Sequence, residues 1–361
     1  MNPPVKIPTD AIVLVTNGTQ PVPLQIIKQL LEYGCRVRTT TTWMAPASWL
    51  DELFSPYMQL RMFERVTLMP GHPNHKSFYR DAVKGVHAIV HTATIPRLNH
   101  SLQDVWSLTA ESVVCMLEAA EREPSVRAFV YTSSMVAATP LVTPSDQLVT
   151  EDSWNARDPI LALMGQGSPA IVRNSSLVRA EQALWQWNRE RTPEFKVNVV
   201  SPANLIGQNF GSQHTTHWEN WIYQLYHYGC AREEIPDAGP TQAHWYVDVQ
   251  DVALLHVAAI FDPKVFGQRL QAWGCYRDWN NAMEVLQDIE NDDMKVLRKI
   301  ENSTMRYPRI RGDGVTRGQL YAKYDQVGEI LERWKGTGSS WWKPFEETVK
   351  ESVYSFRERL L

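Results

Sequence analysis

The sequence predicts an α/β fold: a doubly wound parallel sheet with a smaller C-terminal region. Three observations predict it. Short apolar runs alternate with helix-period segments from residue 11 to about residue 202. The runs are nearly continuous in apolar residues, as strands buried on both faces require. Repeated strand–helix–strand units give parallel strands, and right-handed crossovers wind them outward in both directions.

The elements follow in order. AIVLV (11–15) is a strand, PLQIIKQLLEYG (23–34) is a helix ending at Gly34, and CRVRTTT (35–41) is the second strand. SFYRDAVKG (77–85) reads as a short helix closed by Gly85, and HAIVHTA (87–93) as a strand. In residues 101–123, Leu102, Val105, Trp106, Val113, Leu117 and Ala120 recur near helical spacing. VRAFVYTSS (126–134) is a strand, SSLVRAEQALWQWNRERT (175–192) a helix and KVNVVSP (196–202) a strand. Beyond about residue 205 the pattern loosens, with two helices near 281–300 and 343–359. The expected division is a sheet domain at 1–205 and a smaller substrate or cap region at 206–361, with sheet and helix returning at 240–275. The crevice at the carboxyl ends of the strands is the default site of such a fold.

Composition narrows the function. Hydrophobic residues make up 43% of the 361 and charged residues 21%, so a packed core is expected. The net charge is −4 with no basic stripe, which argues against nucleic acid as a partner. Cys35, Cys115, Cys230 and Cys275 form no CxxC pair, which points to reduced thiols in a cytoplasmic protein. His214 and His217 have ligand-like spacing, but no Cys or carboxylate pattern supports a metal. The N-terminus MNPPVKIPTD carries no signal pattern, and no apolar run approaches the roughly 20 residues of a membrane span. Fourteen tryptophans suit either a Trp-rich core or an aromatic cavity for a bulky apolar ligand.

Six blocks then carry a resemblance: GVHAIVHTAT (85–94), RAFVYTSS (127–134), EDSWN (151–155), RAEQALWQW (179–187), VNVVSPANLIGQ (197–208) and WYVDVQDVALLHVAA (245–259). In this order the chain resembles the extended short-chain dehydrogenase/reductase family over roughly residues 10–275. Its nearest branch looks like the dihydroflavonol-reductase and fungal aldehyde/ketone-reductase group. The resemblance implies a Rossmann-type sheet, a small C-terminal substrate domain and hydride transfer from NADPH to a ketone.

The departures from that pattern fall on the chemistry. The family's T-G-x-x-G-x-x-G turn places its glycines on Asn17, Gln20 and Pro23. Glycine serves there for a tight turn, for close approach to pyrophosphate and for helix packing. Pro21 and Pro23 also remove N–H donors from the helix start that binds the anion. The family's 2′-phosphate arginine falls on Thr42, and its acidic residue after the third strand on Gly71. Of the family's Ser and Tyr-x-x-x-Lys, Ser134 remains, the Tyr position is Arg173 and the Lys position is Leu177. No tyrosine in the chain is followed four residues later by lysine. Arginine stays charged and donates no proton to a carbonyl. The family's buried helix asparagine falls on Glu111, either an acid in the cleft or a space filler. The glycines of RGDGVTRG (311–318) lie outside a strand–helix context and read as a loop.

The expected reading is therefore a cofactor-independent, non-redox enzyme: a cyclase or isomerase, a pericyclic step included, or a lyase or dehydratase. Ser134 and Arg173 are the candidate catalytic residues. Thr94, Met135, Asn204, Trp218, Trp221, Tyr223, Trp245 and Tyr246 are the candidate lining for a hydrophobic small-molecule substrate. His91 and Thr92 end a neighbouring strand, and His91 reads as packing. Asp248 reads as structural. Arg173 facing the cleft would hold an oxyanion or a carboxylate, and Arg173 turned outward would be a solvated charge. The alternatives are a non-catalytic partner or carrier protein, and a reductase that binds NADPH by an altered route. No metal or membrane partner is expected, and the oligomeric state stays open.

Overall fold

A computed structural model describes residues 7–8, 10–42, 47–68, 75, 77–92, 101–140, 149–208, 210, 222, 226, 244–277, 279–289, 317–336 and 338–357. The main sheet has seven strands: β1 (Ile12–Val15), β2 (Arg36–Thr42), β3 (Phe63–Leu68), β4 (Ala88–Thr92), β5 (Ala128–Thr132), β6 (Lys196–Pro202) and β9 (Arg269–Ala272). Their order is β3-β2-β1-β4-β5-β6-β9, and pairing is parallel from β3 through β6. The order reverses between β1 and β4, the switch point where doubly wound folds bind ligands. Every residue of β4, β5 and β6 is buried, which explains their continuous apolar character.

Helix α1 (Pro21–Glu32) follows β1, and short α2 (Ser48–Leu53) and α3 (Ser55–Gln59) follow β2. Helix α4 (Leu102–Glu121) starts where the Ser101 hydroxyl accepts from the Asp104 amide. Helix α5 (Arg157–Leu163) is short. Helix α6 (Pro169–Arg191) starts six residues before the expected position 175, capped by Ser168 with Pro169 in its first turn. It ends at left-handed Thr192. The earlier start places Arg173 inside the helix. Helices α4 and α6 pack side by side on the sheet over Ile89, Phe129, Val113, Met116, Leu184 and Trp187.

Two local expectations are corrected. Residues 77–85 form a run of turns rather than a helix. The Arg38 guanidinium donates to the carbonyls of Ala82 and Lys84, which fixes those turns from outside. Arg317 and Gly318, read as loop, open a helix, Arg317–Lys335; positions 311–316 lie outside the described residues.

The chain divides into two compact units. The first takes 1–140, 151–201 and 253–270; the second takes 141–150, 202–252 and 271–361. The second unit holds a small sheet, β10-β8-β7, built from β7 (Asn204–Ile206), β8 (His244–Asp248) and β10 (Cys275–Arg277). Helix α7 (Val249–Phe261) follows β8, and α8 (Trp279–Asp288), α9 (Arg317–Lys335) and α10 (Phe345–Arg357) complete the chain. Among the described residues, no helix is long and apolar enough to cross a membrane, and no cluster of potential metal ligands occurs.

His91 lies fully buried among Tyr79, Phe129 and Tyr131, as the packing reading expected. Its Nδ1 meets the Thr16 hydroxyl at 3.2 Å. Burial pushes its pKa down to about 3. The unfolded chain therefore binds a proton at pH 3–6.5 that the folded chain refuses, and stability contributed by neutral His91 is lost as pH falls from 6.5. The slope is at most about 1.4 kcal/mol per pH unit. Chemical denaturation between pH 6.5 and 5 should show a shallower loss for His91→Gln than for the native chain. Equal slopes would mean that His91 is not held neutral.

Candidate functional site

The turn between β1 and α1 keeps the geometry of a glycine turn without its glycines. Asn17 holds φ at +57°, the left-handed region that a short polar side chain tolerates. Its Nδ2 donates to the Thr92 hydroxyl at 3.0 Å and the Thr92 carbonyl at 3.3 Å, tying the turn to the end of β4. Gly18 lies so close to β2 that a Cβ would stand 2.1 Å from Thr39 Oγ1.

Four amides of this turn are already used. Thr16 N–H donates to the Val90 carbonyl, Asn17 N–H to the Thr40 hydroxyl, Gly18 N–H to the Thr40 carbonyl and Gln20 N–H to the Asn17 carbonyl. In the first three positions of α1, Pro21 and Pro23 have no N–H, and only Val22 retains one. Pro21, Val22 and Pro23 are all buried, while Gln20 is exposed. Thr42 closes β2 and offers no cation. Gly71 lies outside the described residues.

Ser134 follows β5 and caps a short 3₁₀ turn, Met135–Ala137, its hydroxyl accepting from Val136 N–H at 3.5 Å. Ser134 is half-buried and Met135 buried. The EDSWN block explains why this turn is held. Asn155 donates through Nδ2 to the Val136 carbonyl and to Asp158 Oδ2, and its N–H donates to the Ala137 carbonyl. Asn174, next to Arg173 on α6, donates to the same Asp158 oxygen at 3.1 Å. Helix α6 packs against the 3₁₀ turn. Ser134 and Arg173 are thus carried by two elements joined through one buried carboxylate.

Arg173 is exposed, yet desolvation by surrounding protein lowers its pKa from the ordinary arginine value. An accessible side chain with much protein around it has both properties; a charge pointing freely into water has only the first. Its guanidinium makes no hydrogen bond or ion pair among the described residues. Leu177, one turn on, is buried.

Beneath Ser134 lies an ion pair that sequence reasoning missed. Arg269 Nε donates to Glu181 Oε1 at 2.5 Å, and both side chains are almost fully enclosed. Glu181 also accepts from the Ser133 hydroxyl at 2.5 Å and from Trp185 Nε1 at 3.3 Å. Arg269 Nη1 donates to the carbonyls of Glu151 and Ser153, and the guanidinium stacks 4.2 Å from the Trp154 ring centre. Glu181 stood in view within RAEQALWQW, where a charged residue between two apolar positions of a buried helix was the available signal. Arg269 gave none.

The predicted lining residues separate. Trp245 is half-buried, with its ring 6.0 Å from Trp273 and 5.6 Å from Tyr276. Tyr246 is buried against Phe345 at 5.6 Å. Successive strand residues point to opposite faces, so these two do not line one cavity. Asn204 Nδ2 is enclosed and has no hydrogen-bond partner among the described residues. Thr94, Trp218, Trp221 and Tyr223 lie outside the described residues, as do His214 and His217. Glu111 is exposed on α4, so it fills no buried space. Asp248 is structural in its contacts: it accepts from Gln250 N–H at the start of α7 and from the Thr348 hydroxyl.

No protein-family profile matches the sequence. The chain is 30% identical over 289 residues to the NAD-dependent epimerase/dehydratase terH of Aspergillus terreus, across 78% of this chain and 82% of that protein. It is 26% identical to aldehyde reductase 2 of Sporidiobolus salmonicolor across 97% of each. Among solved structures, yeast methylglyoxal/isovaleraldehyde reductase complexed with NADPH matches with a TM-score of 0.75 at 18% identity, over 97% of this chain and 99% of that one. At that identity the structural match speaks for the fold.

Removing one partner of the buried pair leaves the other charged and dry, at a cost of about 3–5 kcal/mol. Glu181→Gln should lower unfolding free energy by that order, whereas the double variant Glu181→Leu/Arg269→Met should lose markedly less. Denaturant titration of the three proteins checks this. A loss in the double variant as large as that of Glu181→Gln would mean that the cost does not come from an unpaired buried charge.

Proposed function

We propose that this chain, which belongs to the extended short-chain dehydrogenase/reductase family, is a non-redox member of it. On this reading it is a cyclase or isomerase, pericyclic cyclisation included, or a lyase or dehydratase, acting on a hydrophobic metabolite without nicotinamide. The observation that carries the reading is the turn at 16–23. Its residues do not fit a pyrophosphate: four amides are spent inside the protein, two of the first three helix positions are prolines, and the helix start is buried.

What remains is a serine hydroxyl and a guanidinium on adjoining elements. Arg173 stays charged throughout, so it transfers no proton. It stabilises negative charge that develops on a substrate oxygen during cyclisation, enolisation or elimination. Ser134 supplies a hydroxyl that donates to the same oxygen or accepts from a substrate hydroxyl. Leu177, where the family carries lysine, contributes only apolar surface. Rate enhancement comes from holding a flexible apolar substrate in a reactive conformation beside that charge.

A second reading, an NADPH-dependent reductase, is favoured by the relatives' names and by the retained left-handed backbone at Asn17. Calorimetric titration with NADPH and NADH separates the two. The non-redox reading expects no binding up to about millimolar, and Kd near micromolar would restore the reductase. Arg173→Tyr/Leu177→Lys, which rebuilds the family's Tyr-x-x-x-Lys, should reduce no ketone in the presence of NADPH. Measurable NADPH oxidation by that variant would overturn the argument from the turn.

A further inference from the structure

Strand β9 turns two polar side chains the same way, and the protein supplies partners for one of them. Arg269 and Gln271 stand two residues apart, so strand alternation puts them on one face. Arg269 meets a carboxylate and two carbonyls. Gln271 meets none. It is 5% exposed, and its Oε1 and Nε2 are both enclosed without a hydrogen-bond partner. Among the described residues it is the one side chain with two such atoms. Buried polar groups are nearly always paired, and an amide left dry at both ends opposes folding.

The backbone around Gln271 is held on both sides. The Ala203 N–H donates to the Ala272 carbonyl at 3.0 Å, and the Trp273 N–H donates to the Gln271 carbonyl at 3.0 Å. Trp273 is buried, and the Gly274 N–H donates to the Tyr246 carbonyl at 2.9 Å. The Val199 N–H donates to the Gln268 carbonyl, so the bonds from Val199 and Ala203 step equally along both strands, and β9 runs parallel to β6. Gln271 is the last residue but one of β9 and lies at its carboxyl end, the end at which doubly wound folds bind ligands. A fixed backbone carrying an unpaired amide is a recognition group organised before its ligand arrives.

We propose that Gln271 is the polar recognition residue of a ligand site at the carboxyl end of β9. Its ligand presents an amide edge, a carbonyl and an N–H side by side, as in a lactam or a primary carboxamide. Gln271 Nε2 donates to the ligand carbonyl, and Oε1 accepts from the ligand N–H. A carboxylate, a ketone or an ester offers no donor to Oε1. An open-chain secondary amide in its trans form points its N–H and C=O in opposite directions, so a ring or a free NH₂ group is required. The inference goes beyond the non-redox reading of the turn at 16–23 and does not rest on it.

Two measurements on the full chain test it, the first without any ligand. Gln271→Met keeps the length of the side chain and removes the amide. It should raise the Tm of the free protein by about 1–4 °C, since a dry unpaired amide is lost. An unchanged or lowered Tm would mean that the amide is satisfied in the free protein, and overturns the proposal. Calorimetric titration with ε-caprolactam and with ε-caprolactone then compares an amide edge with the same ring lacking the N–H. The lactam should bind about tenfold tighter, the gain expected when no buried acceptor is left unpaired. Gln271→Met should make the two ligands equal, and circular dichroism confirms that the variant is folded. Equal binding by the native chain, binding of neither ligand, or a preference that survives Gln271→Met overturns the proposal. The titrations contain no nucleotide. Their failure leaves the cofactor-free reading standing, and NADPH binding would remove that reading whatever the lactam does.

Discussion

The buried pair of Glu181 and Arg269 is the interaction on which the surroundings of Ser134 depend. Two charges removed from water are costly unless every lone pair and N–H finds a partner. Here most do: one carboxylate collects Ser133, Trp185 and Arg269, and one guanidinium collects the carbonyls of Glu151 and Ser153 and lies on Trp154. Four separate stretches of chain meet at a single fixed geometry. A hydrophobic contact in the same place would be more tolerant of sliding. The pair fixes the backbone next to Ser134.

The turn at 16–23 shows a different economy. A nucleotide turn keeps its amides unpaired and waiting for an anion. In this chain Thr40 of β2, through its hydroxyl and its carbonyl, together with the carbonyls of Val90 and Asn17, takes four of those amides, and the Asn17 side chain anchors to Thr92. The turn is part of the protein's own hydrogen-bond network. Asn17 and Gly18 satisfy the steric demands of its backbone path.

Much of the sheet was legible in the sequence for a plain reason. Strands buried on both faces leave little room for polar residues, so AFVYT and KVNVV announce themselves. The segment 77–85 had helical composition, but its carbonyls at Ala82 and Lys84 are held by Arg38, 44 and 46 residues away, and no local pattern carries that. Helix α6 begins at Pro169 behind the Ser168 cap, ahead of the apolar periodicity that marks it from 175. At the site, Ser134 was readable from its block. Arg269 was not, because its partner is 88 positions away and nothing in the local sequence tells a buried arginine from a surface one. Trp245 and Tyr246 illustrate the converse: adjacency in sequence suggests a shared wall, and strand alternation separates them.

The position of Arg269 also bears on how the chain is made. It belongs to β9, the last strand of the main sheet, while the residues it fastens lie 88 to 118 positions earlier. During synthesis the first six strands emerge long before it. Until then β6 is a bare edge with unpaired amides and carbonyls, the kind of surface that recruits foreign strands. The same arginine that shapes the finished protein also marks the end of its most vulnerable interval on the ribosome.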